Sequence, residues 1–326
     1  MKFIDSYGLP GPLKRAIEWQ SNAHSVGEAN ISCTSLIDSP LVRYLWRVYS
    51  DQIVIEYASR LWPLFGSIAH MIVEKFGDKT EEHVERRVIA PFGDYKVSGG
   101  IDLIRSGKKL TDYKFTSTFA VGDGVKVEWE RQENVYLGLL RHSANPIDRE
   151  MGFNIDELEI CAMLRDWGPR FKKDFPTQVK MLNVKIWDSL RDVAPENIPV
   201  WTDIETTKYI RERIQLHRDA ESKPEMPPQC SEGERWIKPE AYAVVKQGRK
   251  SAVKLFKLSD YPCEREAEAA AAQHIQGMGD KAEGCSVELR KSEPRRCIDY
   301  CDVAQFCPYY QQAVKEQERG GEASEW

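Results

Sequence analysis

The sharpest chemical signal in this chain is a pair of carboxylates with a lysine beside one of them. Asp102 closes the run Gly100-Ile101-Asp102, and Asp112 opens the run Asp112-Tyr113-Lys114. Both runs read as strands, because β-branched and aromatic residues gather there between glycine-containing turns. Side chains two apart on a strand share a face, so Asp112 and Lys114 point the same way. A hairpin turn centred on Gly107 sets Asp102 directly opposite Asp112, with Cβ atoms about 4.5–5.5 Å apart. Carboxylates that close repel unless a cation sits between them or one is protonated. A hard divalent cation, Mg²⁺ or Mn²⁺, takes such oxygen ligands. It would polarise a phosphodiester and acidify a bound water. Lys114 would orient that water or meet the charge developing on the phosphate. Gly99-Gly100 would leave room for a close approach of backbone or ligand. Standing alone, a D-x-K reads first as a polar hairpin with solvated charges.

The flanks add further groups. Gly66 and His70 lie one turn apart on an expected helix, and His70 is a candidate additional metal ligand. Gln132 and Tyr136 have the same spacing on another helix and offer an amide and a phenol at one patch. Glu85 reads first as a solvated surface residue and second as an acid behind the metal ligands.

In order, G-x-x-x-H, G-x-D, D-x-K and Q-x-x-x-Y resemble the RecB-type branch of the PD-(D/E)XK nucleases, over roughly residues 33–165. The resemblance implies an α/β fold, a restriction-endonuclease-like mixed sheet flanked by helices. It implies catalytic roles for Asp102, Asp112 and Lys114, with His70, Asp102 and Asp112 holding Mg²⁺ or Mn²⁺. It sets Gln132 and Tyr136 beside the DNA path as DNA-binding residues. The usual glutamate of E-x-K is aspartate here. The implied activity is a metal-dependent deoxyribonuclease, an exonuclease on single-stranded DNA or DNA ends, in recombination, repair or phage DNA processing. A helicase or recombination protein is the implied partner. The alternative is a catalytically silent DNA-binding or assembly subunit that keeps the nuclease fold.

Eight cysteines need an account, and three of them, Cys297, Cys301 and Cys307, fall within eleven residues. Thiolates so close suit zinc or an iron–sulfur cluster better than packing. They also resemble the C-terminal triplet of iron–sulfur RecB-type nucleases, the AddB and CRISPR-associated kinds, which implies a 4Fe–4S cluster with Zn²⁺ as the alternative. In that group the fourth cysteine precedes a proline near the N-terminus, a place held here by Ser39-Pro40. Cys230 is the preferred substitute and Cys33 its alternative. The Cys230…Arg235-Trp236 run before a hairpin also resembles uncharacterised phage-type nucleases. Cys161, Cys263 and Cys285 read as packing or free thiols.

The elements that must position these groups follow from periodicity. Residues 1–30 read as a partly irregular lead-in. Helices are expected over 41–49, 63–76, 126–142 and, behind a Thr202/Glu205 capping box, 203–220. Strands are expected near 83–92, 94–106, 108–117, 156–164 and 178–187. A proline-rich stretch at 223–235 divides a nuclease core with N-terminal helices, 1–222, from a C-terminal α+β block, 223–312. Residues 313–326 read as a disordered tail. In the second block, a hairpin around Gly248, a helix from Glu264 and a strand from Cys285 are expected.

Composition closes off other classes. With 46 Lys and Arg against 51 Asp and Glu, the net charge is −5, which excludes a uniformly basic coat for nucleic acid. No stretch approaches the roughly 20 apolar residues of a membrane span. The N-terminus lacks the basic start and apolar run of a signal peptide. A cytoplasmic protein is expected, in host cytoplasm if phage-encoded, with no membrane partner. Candidate DNA surfaces are Arg43, Tyr44, Trp46 and Arg47 on one helix, Lys108-Lys109, and Arg295-Arg296.

Overall fold

Alternating apolar residues between positions 82 and 116 fold as a three-strand meander, and the first two thirds of the chain pack around it. The structure is a computed structural model and describes residues 1–23, 27–77, 82–105, 108–122, 124–185, 198–223, 225–249 and 252–314. The chain divides into two units, Met1–Pro227 and Pro228–Trp326.

The N-terminal stretch, expected to be partly irregular, carries two elements. Strand β1 (Lys2–Ile4) is followed by helix α1 (Gly11–Ala23). Leu13, Ala16, Ile17 and Gln20 fall at helical spacing, and Ile17 is fully enclosed. Four positions are too short a pattern to stand out beside the surrounding glycine and proline. Next come β2 (Ile31–Ser32), α2 (Cys33–Ile37) and α3 (Pro40–Val48), the last with Pro40 in its first turn. Strand β3 (Val54–Glu56) pairs in parallel with β1. Helix α4 (Leu61–Phe76) starts two residues before its expected position. Pro63 does not break it, since first-turn N–H groups have no intrahelical acceptor.

Strands β4 (Glu82–Phe92), β5 (Tyr95–Arg105) and β6 (Lys109–Thr116) form the meander. Helices α5 (Val127–Arg141) and α6 (Pro146–Asn154) precede β7 (Glu157–Leu164) and β8 (Val179–Lys185). The last strand was expected to reach residue 187, and positions 186–187 lie outside the described residues. The sheet runs β2-β5-β6-β7-β8, with β4 also on β5. It is mixed: β2–β5 and β6–β7 are parallel, the other pairs antiparallel. The fold is therefore α/β with helices against a mixed sheet.

Helix α5 is enclosed along nearly its whole second half, from Gln132 to Leu140. It packs against the sheet and against α2, α6 and helix α7 (Asp203–Ser222). A Cβ on Gly138 would lie 2.5 Å from Thr206, so this glycine sets how closely α7 approaches. The Thr202/Glu205 capping box starts α7. No helix among the described residues is long and apolar enough to cross a membrane.

The second unit contains α8 (Glu232–Arg235), β9 (Ile237–Lys238), β10 (Ala241–Lys246), β11 (Lys254–Lys257), α9 (Glu264–Gln276), β12 (Cys285–Arg290), β13 (Glu293–Pro294) and α10 (Arg295–Asp299). An antiparallel β11-β10-β12 sheet covers α9 through Tyr242, Val244, Phe256, Ala267 and Ala271. The short β9 and β13 pair with each other.

His217 on α7 is buried, with Nε2 3.1 Å from the Leu36 carbonyl, and burial pushes its pKa down to about 4. The folded unit holds the neutral ring, while the unfolded chain takes up the proton near pH 6.5. Stability is therefore full above pH 6.5 and falls as the pH drops toward 4. The loss is up to about 3 kcal/mol at 1.36 kcal/mol per pKa unit. His217→Gln keeps a donor for Leu36 without the titration. Urea unfolding at pH 7 and pH 4.5 should show a smaller acid loss for this variant than for the wild-type protein. Equal losses would remove His217 as the source.

Candidate active site

The sheet opens where the two carboxylates would meet. Strands β5 and β6 pair through Arg105↔Lys109, Ile104↔Leu110 and Leu103↔Thr111. This is the register of a turn centred on Gly107, a residue outside those described. The ladder stops one step short of Asp102 and Asp112. On the same edge β2 reaches only Val97 and Ser98. Among the described residues, Gly99 to Asp102 thus have no strand partner on that side. The Asp102 Oδ2 instead accepts the backbone N–H of Tyr113 at 2.8 Å, so a carboxylate replaces a ladder bond.

The opposite edge is distorted at the same level. Strand β4 pairs with β5 through Val84↔Leu103 and Arg86↔Ile101, which places Glu85 across from Asp102. Glu85 has φ +49°, a left-handed conformation that few non-glycine residues adopt in a strand. Its side chain is exposed, as expected from sequence, yet it stands at the metal-ligating group. Helix α4 brings His70 to this point. Its Nδ1 lies 3.3 Å from Asp102 Oδ2 and 4.0 Å from Glu85 Oε1. Donor atoms of His70, Glu85 and Asp102 all fall within 4.8 Å of one another. Burial first, and then the Asp102 charge, push the Glu85 carboxyl up to about 7. The hydrogen bond to Asp102 raises the His70 imidazole against the opposing effect of burial. An imidazole and two carboxylates at this spacing are a donor set for one hard divalent cation.

Asp112 and Lys114 form the other half. Asp112 is buried, and burial pushes its carboxyl up to about 6 against the pull of Lys114. Lys114 Nζ lies 2.7 Å from Asp112 Oδ2. At this distance the ammonium donates to the carboxylate oxygen. Burial disfavours the charged lysine, and Asp112 more than offsets that, so its pKa sits above the usual value. Gln132 Nε2 donates to Asp112 Oδ1 and to Tyr136 Oη, both at 2.9 Å. Its Oε1 accepts from Lys114 Nζ at 3.0 Å. One amide thus fixes the carboxylate, the lysine and the phenol.

Three expectations meet a different arrangement. The metal set expected was His70, Asp102 and Asp112. The close group instead contains Glu85, and Asp112 belongs to the lysine array beside it. Gln132 and Tyr136 were expected as DNA contacts. Both are buried, and they position Asp112 and Lys114 instead. Gly99 was expected to leave room for a ligand. Tyr136 and Leu139 occupy that room, since a Cβ there would lie 2.8 Å from each.

The expected DNA surfaces are largely engaged. Arg43 pairs with Glu221 at 2.8 Å, and Arg47 donates to carbonyls at the end of α7. Lys109 pairs with Glu157 and Glu159. Arg295 pairs with Asp299, and Arg296 lies over the Trp236 ring.

The cysteines separate clearly. Cys33 is fully enclosed in the first unit's core, its Sγ 3.8 Å from the Gln132 carbonyl, which does not suit a cluster ligand. Cys230, Cys297, Cys301 and Cys307 are half-buried in the second unit. The β9–β13 pair and an Arg296 bond to the Glu234 carbonyl hold the Cys230 segment beside the triplet segment. Burial, and then Cys307, raise the Cys297 thiol. Among the described residues, no three of these sulfurs fall within 4.8 Å of one another. Zinc ligands about 2.3 Å from the metal would sit closer than that.

No protein-family model matches the chain, and no curated protein matches it. Among solved structures it is similar to the crystal structure of SSO0001, at 15% identity and a TM-score of 0.40, over 63% of this chain and 84% of that one.

The Gly99 contact makes a stability test of the site's back wall. Gly99→Ala must displace the Tyr136 ring or α5, at a cost of about 1–3 kcal/mol. Gly100→Ala meets nothing within 4 Å and should change stability by no more than about 0.5 kcal/mol. Urea denaturation of the pair checks this, and equal effects would show that α5 does not depend on the gap.

Proposed function

We propose that the chain is a Mg²⁺- or Mn²⁺-dependent deoxyribonuclease with a PD-(D/E)XK-type core. The observation that carries this reading is the His70–Glu85–Asp102 donor group at the opened sheet, with the buried Asp112–Lys114 pair beside it. His70, Glu85 and Asp102 would hold the cation, with Asp112, paired to Lys114, beside them. When bound, such a cation polarises a phosphodiester and acidifies a water. Lys114 supplies a fixed positive charge for the phosphate, and Gln132 holds it in place. Tyr136 in turn holds Gln132, and Asp102 locks β6 through the Tyr113 N–H. Exonuclease action on DNA ends, in recombination, repair or phage DNA processing beside a helicase, is the setting that the motif order supports. A cytoplasmic location goes with that setting.

We further propose that Cys230, Cys297, Cys301 and Cys307 hold a 4Fe–4S cluster that braces the second unit. What supports it is four half-buried thiols on two segments held together by β9–β13 and Arg296. Zinc remains the alternative metal.

End-labelled DNA incubated with Mn²⁺ or Mg²⁺ tests the nuclease. Cutting should vanish in EDTA and fall at least about 100-fold in Lys114→Ala, while filter binding of DNA by that variant persists. Binding without cutting by the cluster-loaded wild-type protein would favour the silent subunit instead. For the cluster, anaerobically purified protein should absorb broadly in the visible and contain iron and acid-labile sulfide. Cys297→Ser and Cys230→Ser should lose both, and Cys33→Ser should not. Bound zinc without colour would replace the iron reading.

A further inference from the structure

At the start of α4, two turns before His70, two large aromatic rings face outward. Trp62 is 51% exposed and Phe65 39% exposed. They are held together: the rings meet edge to face with centroids 5.7 Å apart. The Arg165 guanidinium lies over the indole at 4.2 Å from its centroid. Phe115, the residue after Lys114 on β6, lies 6.4 Å from Trp62. Aromatic side chains this large are ordinarily turned inward, and a fixed, cation-capped pair on the surface calls for a ligand with a flat face.

The surrounding charge indicates which ligand. Arg165 has no ion-pair partner among the described residues, and its backbone N–H is anchored on the Thr116 carbonyl at the end of β6. It opens the segment Arg-Asp-Trp-Gly-Pro-Arg-Phe-Lys-Lys, residues 165–173, which carries four basic residues and one acidic in a chain of net charge −5. The acidic one, Asp166, is occupied by the N–H and hydroxyl of Thr118. Arg170 in that segment lies over Phe171, repeating the pairing of cation and ring. Interleaved rings and cations fit a chain of phosphates bearing bases. In a duplex the base faces are already stacked, so only an unpaired strand can offer them. The apolar face of α4 continues through Ile68 and Ile72, but the basic segment joins it at the Trp62 end.

We propose that Trp62 and Phe65, with Arg165 across the indole, form a stacking platform for an unpaired DNA strand. Its placement beside the cleavage site rests on the nuclease reading. Eight residues of helix separate Trp62 from His70, about 12 Å at 1.5 Å per residue. A strand stacked on the platform therefore reaches the metal-ligating group directly. The site would thereby favour unpaired over paired DNA.

Binding without cutting tests it. Fluorescence anisotropy of labelled oligothymidylate and of a blunt duplex is measured in EDTA with the full-length protein. Trp62→Ala should weaken oligothymidylate binding at least about five-fold, the low end for one base–aromatic stack, with duplex binding unchanged. Trp62→Phe keeps a ring and should keep most of the affinity. Arg165→Ala should weaken binding and lower the salt slope by about 0.7, one phosphate's share on a single strand. Should Trp62→Ala fail to fold, the Trp62→Phe and Arg165→Ala pair carries the test. Wild-type affinity in Trp62→Ala, or equal loss for the duplex, overturns the platform. So does a dimer in sedimentation velocity that Trp62→Ala dissolves while oligothymidylate binding stands, since the face would then belong to a second copy. A protein that binds through Trp62 but cuts nothing keeps the platform and loses the nuclease reading. One that cuts, with Trp62→Ala cutting and binding as wild type, does the reverse.

Discussion

Two carboxylates directly opposite each other destabilise a β-ladder unless a cation or a proton sits between them. The first unit is organised around that constraint. Strands β5 and β6 stay in register up to Leu103↔Thr111 and then part, and Asp102 takes over the Tyr113 N–H that the ladder would have used. The same level of the sheet bears the left-handed Glu85 and an edge of β5 that has no strand partner among the described residues. These are departures from regular structure that cost stability, and they coincide at one place. Their common effect is to turn His70, Glu85 and Asp102 toward one point.

The opening is held from behind by α5. Regular packing would fill the face of α5 toward the sheet with aliphatic residues, yet Gln132, Glu133 and Tyr136 are buried there. Gln132 satisfies this cost by bonding three partners at once. Glu133 does not: both its oxygens are enclosed without a hydrogen bond, and burial first, then Asp112, hold its carboxyl well above the usual range. Burial that favours the protonated Glu133 limits the negative charge beside Asp112. The single positive charge of Lys114 is thereby committed to Asp112 and, on the proposed reading, to a phosphate.

How much of this was legible follows from which interactions are local. The hairpin arithmetic around Gly107 placed Asp102 and Asp112 at the same level, because a strand's period is two and a turn fixes register. The same arithmetic around Gly93-Asp94 would have placed Glu85 across from Asp102, so the signal was present and unread. Helical spacing paired Gln132 with Tyr136, but spacing does not say which face is enclosed, and two polar side chains read as surface. Cys33 differs from Cys230 only in its surroundings, which are assembled from α2 and α5, far apart in sequence. Trp62 and Arg165 lie a hundred residues apart and meet because β6 and β7 pair in parallel. No local pattern carries such a contact.

Charge and stability then become one question. His70, Glu85, Asp102 and Asp112 are close and partly desolvated, with Lys114 the nearby cation that offsets Asp112. Desolvated carboxylates that repel one another raise the energy of the folded chain relative to the unfolded one, where each is separately hydrated. A cation that binds only the folded arrangement returns that energy as both affinity and stability. The ligands come from three elements, α4 for His70, β4 for Glu85 and β5 for Asp102, and of these β4 and β5 are already paired as strands. A cation there would cross-link three elements whose geometry the rest of the fold has already imposed. On the proposed reading, the strain in β4 and the gap beside β5 are a site prepared before its ligand arrives rather than defects tolerated by an otherwise regular sheet.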